Sequence, residues 1–264
     1  MDYQVITSKN NDRVKQVCLL MRSASTRREF DRFALEGLRL CRDAALNGLQ
    51  ADELYFTQKA LDKFPEDIEL ISAHSTRAYL VSEDVFDKMA QTDSSQGVLS
   101  ILPIGDAVSI DDVDSKGRYV ACVDLADPGN LGAISRTAEA LGVGGMLLFG
   151  SCCDPYNPKA LRASMGALLR LPVLRFDCVP DGMTVLKEKG LELFASVVDP
   201  YADAVQTVDF GDGSVVFIGN EANGLSDETV SLCDRRITIP ISGRAESFNA
   251  AAAAAILLWE LMKL

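Results

Sequence analysis

The stretch IPISGRAESFNAAAAAAILLWEL (residues 239–261) joins an apolar strand, a polar loop and an alanine-rich helix. The strand stops at Pro240, and six alanines, residues 250–255, open the helix. Between them the loop presents small and polar residues: Gly243, Arg244, Glu246, Ser247 and Asn249. A polar loop therefore precedes a helix whose first residues have only methyl side chains. Small residues of this kind allow a ligand or another strand to come close to the backbone.

Upstream of this stretch, apolar strands alternate with helices. The apolar runs predict strands at 119–125, 146–149, 173–176, 191–198, 215–219 and 236–240. Helices are predicted at 131–141, 158–169, 184–189 and 227–233, before the final alanine-rich helix. Continuous apolar strands that alternate with helices are typical of a largely parallel sheet covered on both faces.

The first hundred residues carry a shorter alternation. Helices are predicted at 11–21, 38–47 and 83–91, and strands at 32–35, 53–57, 68–73, 78–82 and 96–104. Residues 105–117 then contain two glycines and four aspartates with little periodicity, which is typical of a linker. The chain is thus predicted to be α/β throughout, with a smaller domain at 1–104, a linker at 105–117 and a larger domain at 118–264.

Charge is distributed unevenly along the chain. The net charge is −12, which by itself disfavours binding to nucleic acid. Residues 9–42, however, contain nine basic and four acidic residues and so carry a net charge of +5. A basic segment on an acidic body is compatible with contacts to phosphate, and equally with an ordinary solvated helix face.

Cysteine and histidine usage restricts the possible chemistry. The seven cysteines are odd in number and include no C-x-x-C pair, which favours reduced thiols over disulfides or a zinc site. A single histidine, His74, cannot provide a metal cluster or a catalytic triad. The longest apolar run, 250–259, is about half the length that spans a bilayer, and the first ten residues do not have the pattern of a signal peptide. We therefore expect a cytoplasmic protein without a metal or a membrane segment.

Loops with polar residues follow several predicted strands of the larger domain, where open α/β sheets bind their ligands. They are DLADPGNLGAISRTAEALG (124–142), DPYNPKALRASMGAL (154–168), FIGNEANGLSDE (217–228) and the loop quoted first. Each is also compatible with ordinary turn or capping chemistry when taken alone. No G-x-G-x-x-G joins a strand to a helix, and no P-loop or G-x-S-x-G elbow is present, so an ordinary Rossmann cofactor site is disfavoured.

Three segments in this order resemble the motifs of the SpoU, or TrmH-type, RNA ribose methyltransferases of the knotted SPOUT superfamily. They are NLGAISRTAEALGV (130–143), FIGNEANGLS (217–226) and IPISGRAESFNAAAAAAI (239–256), with KALRASMGA (159–167) similar to a further family segment. The N-terminal ITSKNNDRVKQ and RREFDRFALEG resemble the substrate-binding domain that these enzymes often carry, related in fold to a ribosomal protein.

The resemblance implies a deep trefoil knot, an exception to the rule that chains do not thread loops. It also implies S-adenosylmethionine as the cofactor, bound by knotted backbone, and a homodimer formed through the knotted domain. By the same resemblance, the cofactor-binding residues are Gly219, Asn220, Ile239, Ile241 and Phe248. Phe248 stands where the family usually has leucine. The alanines at 250–255 replace a start richer in valine and serine.

The reaction implied is methyl transfer to a ribose 2′-hydroxyl. Arg136 matches the family arginine that assists this hydroxyl, and its high pKa favours orientation and charge stabilisation over action as a free base. The resemblance places four polar residues at positions that order the site: Asn130, Glu221, Ser247 and Asn249. Arg162 and Ser164 are expected along the path of the RNA, and the basic segment contributes Arg13, Arg27, Arg28 and Arg32 as RNA-binding residues.

The expected substrate is 23S ribosomal RNA, favoured by the two-domain arrangement. A tRNA 2′-O-methyltransferase and a non-catalytic knotted RNA-binding protein are the alternatives. A nucleotide-dependent oxidoreductase is a third possibility, disfavoured by the missing glycine fingerprint.

Overall fold

The chain folds into two compact units in a computed structural model that describes residues 2–92 and 95–263. One unit comprises Met1–Asp106 together with Tyr156–Gly166, and the other comprises Ala107–Pro155 and Ala167–Leu264. The segment around residue 160, predicted as part of the larger domain, thus packs within the first unit. The predicted domains 1–104 and 118–264 also include Met1, Asp93, Ser94 and Leu264, which lie outside the described residues.

The N-terminal segment of the first unit has a mixed five-stranded sheet in the order β1-β4-β3-β5-β2. β1, β4 and β3 are parallel, and β5 runs antiparallel to β3 and β2. Its elements are β1 (Gln4–Ile6), α1 (Asp12–Arg22), α2 (Ala24–Phe30), β2 (Arg32–Glu36), α3 (Leu38–Leu46), β3 (Ala51–Thr57), α4 (Gln58–Lys63), α5 (Pro65–Ala73), β4 (Ser75–Val81), α6 (Glu83–Met89) and β5 (Val98–Pro103).

Helix α1 shows how the sequence determines this packing. Asn11 caps its first turn by accepting from the backbone N–H of Arg13. Val14, Val17 and Met21 lie on one face and are buried against the sheet with α6. The opposite face carries the polar residues, as the 3.6-residue period requires.

The predicted strand at 68–73 is wrong, since these residues belong to α5. Pro65 occupies the first turn, and Glu66 and Asp67 place negative charge at the positive end of the helix dipole. Ile68 and Ile71, three residues apart, bury one helical face. Helices α2 and α4 and the short strand β1 were not predicted.

The second half of the chain forms a seven-stranded parallel sheet in the order β10-β12-β9-β11-β6-β7-β8. This confirms the α/β class and the parallel sheet. The elements are β6 (Tyr119–Val123), α7 (Pro128–Leu141), β7 (Gly145–Phe149), α8 (Pro158–Ser164), β8 (Val173–Phe176), α9 (Val179–Glu188), β9 (Glu192–Ser196), β10 (Asp203–Ala204), β11 (Ser214–Ile218), α10 (Asp227–Leu232), β12 (Arg235–Thr238) and α11 (Ala250–Leu261).

The sheet of the second unit is covered by helices. On one face, Met183 and Leu186 of α9 pack in a cluster with strand residues such as Phe149 and Phe217. α7 and α11 contact each other, and they also contact β7 and β11, respectively. Strands β6, β7 and β11 have buried side chains along their whole length, which explains their continuous apolar runs.

The position of β12 is unusual. β9 and β10 follow each other in sequence, yet β12 lies between them in the sheet and pairs with both. The connection formed by residues 197–202 therefore passes across a strand that the chain forms about thirty residues later. This connection is fastened to β12, because the N–H of Val197 donates to the carbonyl of Ile237 and Arg236 pairs with Asp199.

The predicted helix at 158–169 ends five residues early. Met165 and Gly166 both adopt positive φ, 51° and 92°, which ends α8 after Ser164. A separate 3₁₀ turn follows at Ala167–Leu169. Gly166 is a sequence signal for this break, because glycine readily adopts the positive φ that ends many helices, and the predicted helix extends past it.

Candidate active site

Three loops of the second unit meet at one carboxylate. The loop after β6, the turn after β11 and the segment that leads from β12 into α11 all follow the carboxyl ends of their strands. Glu221, in the β11 turn, is hydrogen-bonded to Asn130 at the start of α7, and Asn130 is hydrogen-bonded to Asn249 at the start of α11. The structure thus brings together three of the predicted polar site residues.

Glu221 accepts three hydrogen bonds from the α7 loop. Its Oε1 accepts from the N–H of Asp127 at 2.9 Å and from Asn130 Nδ2 at 3.0 Å. Its Oε2 accepts from the N–H of Ala126 at 3.1 Å. Partial burial alone raises the pKa of Glu221, but the hydrogen bonds from Asn130, Asp127 and Ala126 outweigh it and lower the pKa below its usual value of 4.5. The carboxylate is therefore held ionised as an acceptor.

Asn249 both links two loops and caps a helix. Its Nδ2 donates to Asn130 Oδ1 at 3.1 Å. Its Oδ1 accepts from the N–H groups of Ala251 and Ala252, at 2.9 and 3.3 Å, and so satisfies the first turn of α11. The orientations are consistent along the chain of bonds, because Asn130 offers its oxygen to Asn249 and its Nδ2 to Glu221.

The turn after β11 is tightly closed, and Gly219 makes this possible. A Cβ at Gly219 would overlap the backbone of Gly224. The N–H groups of Asn220 and Gly224 donate to each other's carbonyls at 3.0 and 2.9 Å. The Asn220 side chain donates to the carbonyl of Asp124 at 2.8 Å, which fixes the turn to the end of β6.

Two aspartates support this arrangement, and the prediction did not include them among the site residues. Asp127 caps α7 by accepting from the N–H groups of Gly129 and Asn130. Asp124 has a positive φ of 51°, which is uncommon for a residue with a Cβ, and accepts from the N–H of Ser151 at 2.7 Å. The Asp-Pro-Gly-Asn turn is a sequence signal for the capping role of Asp127, but no local pattern signals the positive φ of Asp124.

The loop from β12 to α11 offers backbone that the protein itself does not use. Residues 242–249 are all exposed, Ser247 among them. Within the part of the chain that the structure describes, the N–H groups of residues 241–248 donate to no protein acceptor. Half-buried Ile239 and Ile241 and exposed Phe248 provide apolar surface beside these groups. Free backbone donors next to apolar side chains suit a ligand with a flat apolar ring and polar substituents, so the residues fit an adenosyl cofactor.

Arg136 lies apart from this hydrogen-bonded group. It is on the exposed side of α7, and it forms no ion pair with any described residue. Its guanidinium is therefore available to a ligand. The structure contains no hydrogen bond that connects Arg136 to Glu221, Asn130 or Asn249 within the described ranges.

The predicted RNA-binding residues of the N-terminal segment have different environments. Arg13 pairs with the buried Glu53, and its guanidinium lies 5.1 Å from the ring centre of Tyr79. Arg32 pairs with Asp52 at 2.8 Å. Arg27 is only 2% exposed and donates to the carbonyl of Leu20 at 2.6 Å, which is at odds with its predicted contact with RNA. Arg28, exposed and without an ion pair among the described residues, agrees best with the prediction.

Arg162 and Ser164, which were expected along the path of the RNA, also contact other residues of the protein. Ser164 is 1% exposed, and its hydroxyl donates to the carbonyl of Leu161 at 2.8 Å, so the structure contradicts a role for its side chain in binding RNA. Arg162 lies 3.5 Å from the buried Glu36, with part of its side chain still exposed.

The described residues form neither a metal-binding cluster nor a membrane-spanning helix. No group of three or more histidine, cysteine, aspartate or glutamate side chains is arranged to hold a metal ion there. No helix of the described ranges is both long and apolar enough to cross a membrane. All seven cysteines are free thiols.

Family models match both halves of the chain. The model described as SpoU rRNA Methylase family matches residues 117–259, more than half of the chain. The model described as MRM3-like substrate binding domain matches residues 11–100.

Individual relatives match over almost the full length. An uncharacterized tRNA/rRNA methyltransferase from Synechocystis sp. is 34% identical over 98% of this chain and 93% of its own. The 23S rRNA (guanosine(2553)-2'-O)-methyltransferase RlmP of Bacillus subtilis is 28% identical over 97% of this chain and 98% of its own. The AdoMet-bound rRNA methyltransferase from Sinorhizobium meliloti superimposes with a TM-score of 0.86, at 29% identity, covering 98% of this chain and 97% of that one.

Proposed function

The chain belongs to the SpoU rRNA methylase family, and from this premise we propose that it transfers a methyl group from S-adenosylmethionine to a ribose 2′-hydroxyl of 23S ribosomal RNA. The observation that carries the proposal is the set of hydrogen bonds joining Glu221, Asn130 and Asn249 beside a loop with unused backbone donors. Three loops from different strands are held in one arrangement before any ligand binds. Such preorganisation is what a methyl transfer between two bound molecules requires.

The cofactor is assigned to the loops after β11 and β12. Gly219, Asn220, Ile239, Ile241 and Phe248 would hold it: the unused N–H groups and apolar side chains lie in the β12 loop, and Gly219 and Asn220 shape the turn beside it. When bound, S-adenosylmethionine supplies an electrophilic sulfonium methyl group. Glu221 holds the α7 loop against the β11 turn, and Asn249 holds the start of α11 against α7, so these residues order the walls of the pocket. Ser247 lies exposed in the same loop and is proposed to contact the bound ligands.

Arg136 is assigned to the ribose or its adjoining phosphate. A ribose hydroxyl is a weak nucleophile and must be oriented while it loses its proton. A guanidinium keeps its proton at neutral pH, so Arg136 acts by orientation and by stabilising the developing alkoxide. Its exposed position without an ion pair supports this role, because its donors are available to RNA.

Ribosomal RNA is the favoured substrate. The relative in B. subtilis acts on 23S rRNA, and the matched N-terminal model describes a substrate-binding domain. We assign RNA contacts in that segment to Arg28, with residues 1–104 as the substrate-binding domain, 105–117 as the linker and 118–264 as the catalytic domain. A tRNA substrate is the second candidate, because the Synechocystis relative carries the broader description tRNA/rRNA methyltransferase.

We also propose a trefoil knot and a homodimer in a cytoplasmic protein. The insertion of β12 between β9 and β10 supports the knot, since the connection at 197–202 crosses the position that β12 takes in the sheet. For the dimer, α11 combines small alanines with Trp259, which is 62% exposed, and Phe248 is exposed just before the helix. Changing Trp259 to lysine is expected to shift the protein to monomers in sedimentation equilibrium, and unchanged dimers would contradict this interface.

The first test is calorimetric titration of the purified protein with S-adenosylmethionine, with NAD as the control. We expect saturable binding of one S-adenosylmethionine per subunit and no binding of NAD. Methyl transfer is then measured on 23S and tRNA transcripts, with alkaline hydrolysis to detect the protected ribose. Absence of cofactor binding up to millimolar concentration, with and without RNA, would favour a non-catalytic RNA-binding protein.

A further inference from the structure

Glu36 is a buried carboxylate at the end of β2, and it collects donors from distant parts of the chain. Its side chain is 2% exposed. It accepts from the backbone N–H of Gln91 at 2.9 Å, from the N–H of Thr92 at 3.2 Å and from the Thr92 hydroxyl. The guanidinium of Arg162 lies at 3.5 Å. A buried charge with this number of donors is stabilised only while its partners stay in place.

These contacts bring chain segments that carry arginines to one end of β2. The side chain of Gln91 donates to the carbonyl of Met21 at 2.6 Å, so the end of α1, which carries Arg22, lies beside the Glu36 contacts. Arg39 follows Glu36 by three residues and lies in the first turn of α3, which begins at Leu38.

Most other basic residues of the basic segment (residues 9–42) are paired with a carboxylate, whereas Arg22, Arg39 and Arg162 keep donors available. Arg22 and Arg39 are exposed and form no ion pair within the described ranges. Arg162 has about a third of its side chain exposed and uses one nitrogen on Glu36. A guanidinium has five donors in a planar fork, so Arg162 retains donors for a phosphate while its position is held. By contrast, Arg13 and Arg32 are each paired with a carboxylate.

We propose that Arg22, Arg39 and Arg162 form a phosphate-binding patch for the RNA backbone, with Glu36 as its positioning residue. The proposal rests on the proposed function, since it takes RNA as the substrate. The buried carboxylate of Glu36 is paired with Arg162, and Arg22 and Arg39 give the patch two further positive charges. The exposed acids Glu29 and Asp31 precede Arg32 and so belong to the opposite end of β2.

The patch is tested by the salt dependence of RNA binding, with a 23S rRNA transcript as the probe. The variants are Arg22→Gln, Arg39→Gln and Arg162→Gln. The control is Lys59→Gln, an exposed cation on α4, which packs on α5 and β3. We expect each arginine variant to weaken binding and to reduce the slope of log K against log salt concentration by about 0.7 to 1, as loss of one phosphate contact does. Slopes equal to wild type in all three arginine variants would overturn the patch.

The positioning role is tested with Glu36→Gln, alone and combined with Arg162→Gln. Glutamine removes the charge that holds Arg162 and keeps one acceptor oxygen, which serves either Thr92 or Gln91 but not both. We expect a raised KM for RNA, little change in kcat, and an effect in the double variant smaller than the sum of the single effects. A lower melting temperature with an unchanged KM and salt slope would show that Glu36 is only structural.

The same preparations separate failure of this inference from failure of the proposed function. Wild-type protein that binds RNA through the patch but transfers no methyl group would refute the proposed function and leave the patch supported. Wild-type protein that methylates RNA, with arginine variants that bind as wild type does, would refute the patch alone. Wild-type protein that binds no RNA would refute the patch as well.

Discussion

Asn249 performs two tasks that different substitutions can separate. Its Oδ1 caps α11 through Ala251 and Ala252, and its Nδ2 holds Asn130. Asn249→Ala removes both. Asn249→Asp keeps a capping oxygen but replaces the donor towards Asn130 with a carboxylate oxygen, which repels the oxygen it faces.

The two substitutions are expected to differ in stability. Loss of an N-cap costs about 1 kcal/mol. Loss of one hydrogen bond costs a further 0.5 to 1.5 kcal/mol, roughly. Asn249→Ala is thus expected to lower the free energy of unfolding by about 2 kcal/mol. Asn249→Asp is expected to lose less, about 1 kcal/mol, because it loses the bond to Asn130 but keeps the cap, and its charge interacts favourably with the helix dipole.

Cofactor affinity is expected to fall in both variants, since both release the α11 loop from α7. One lost hydrogen bond of this size corresponds to an increase in Kd of about two- to tenfold. The measurements are urea unfolding followed by circular dichroism, and calorimetric titration with S-adenosylmethionine. Wild-type affinity in Asn249→Asp would refute the idea that the Asn130–Asn249 bond organises the pocket, and wild-type stability in Asn249→Ala would refute the capping role.

Three further predictions concern the same site. Arg136→Ala is expected to bind S-adenosylmethionine nearly as wild type does but to lose methyl transfer, and full activity would exclude the assigned role. Gly219→Ala is expected to abolish cofactor binding, because the added Cβ would overlap the backbone of Gly224. The control variant Gly211→Ala, with no atom within 4 Å of the added Cβ, should bind the cofactor normally. Equal cofactor affinity in both variants would contradict the close approach at Gly219. Glu221 has a lowered pKa, so the stability it contributes is fully present above pH 4.5 and is lost as the pH falls through its lower folded value. Cofactor binding should therefore weaken below pH 4.5, and a Glu221→Gln variant that weakens with the same acid profile would contradict this cause.

Most elements were predictable because their signals are local. The parallel strands of the second unit read as continuous apolar runs, since both sheet faces are covered. Residues 68–73 were misassigned because a short apolar run suits a strand as well as a helix, and the start at Pro65 was not considered. The break after Ser164 is signalled only by Gly166, a single glycine in an otherwise helical run, and the predicted helix extends past it.

The candidate site was only partly predictable, and arginines show why. Arg27 and Arg28 are neighbours of the same type, yet Arg27 is buried on the carbonyl of Leu20 and Arg28 is exposed. The two arginines differ in burial because one face of α2 packs on α1 and the other is exposed, and the residue type alone does not encode which face an arginine occupies. The same limit applies to Ser164, whose polar side chain is satisfied within its own helix.

The sequence by itself determined the α/β class, the alternation of strands and helices and the family, because periodicity and ordered motifs are properties of short segments. Only the tertiary structure decided that Glu221 reaches back 91 residues to Asn130, and that Asn249 reaches back 119 residues to the same side chain. These contacts depend on the strand order, which places the ends of β6, β11 and β12 at one edge of the sheet. Strand order is set by the packing of the whole sheet, so no single segment contains it.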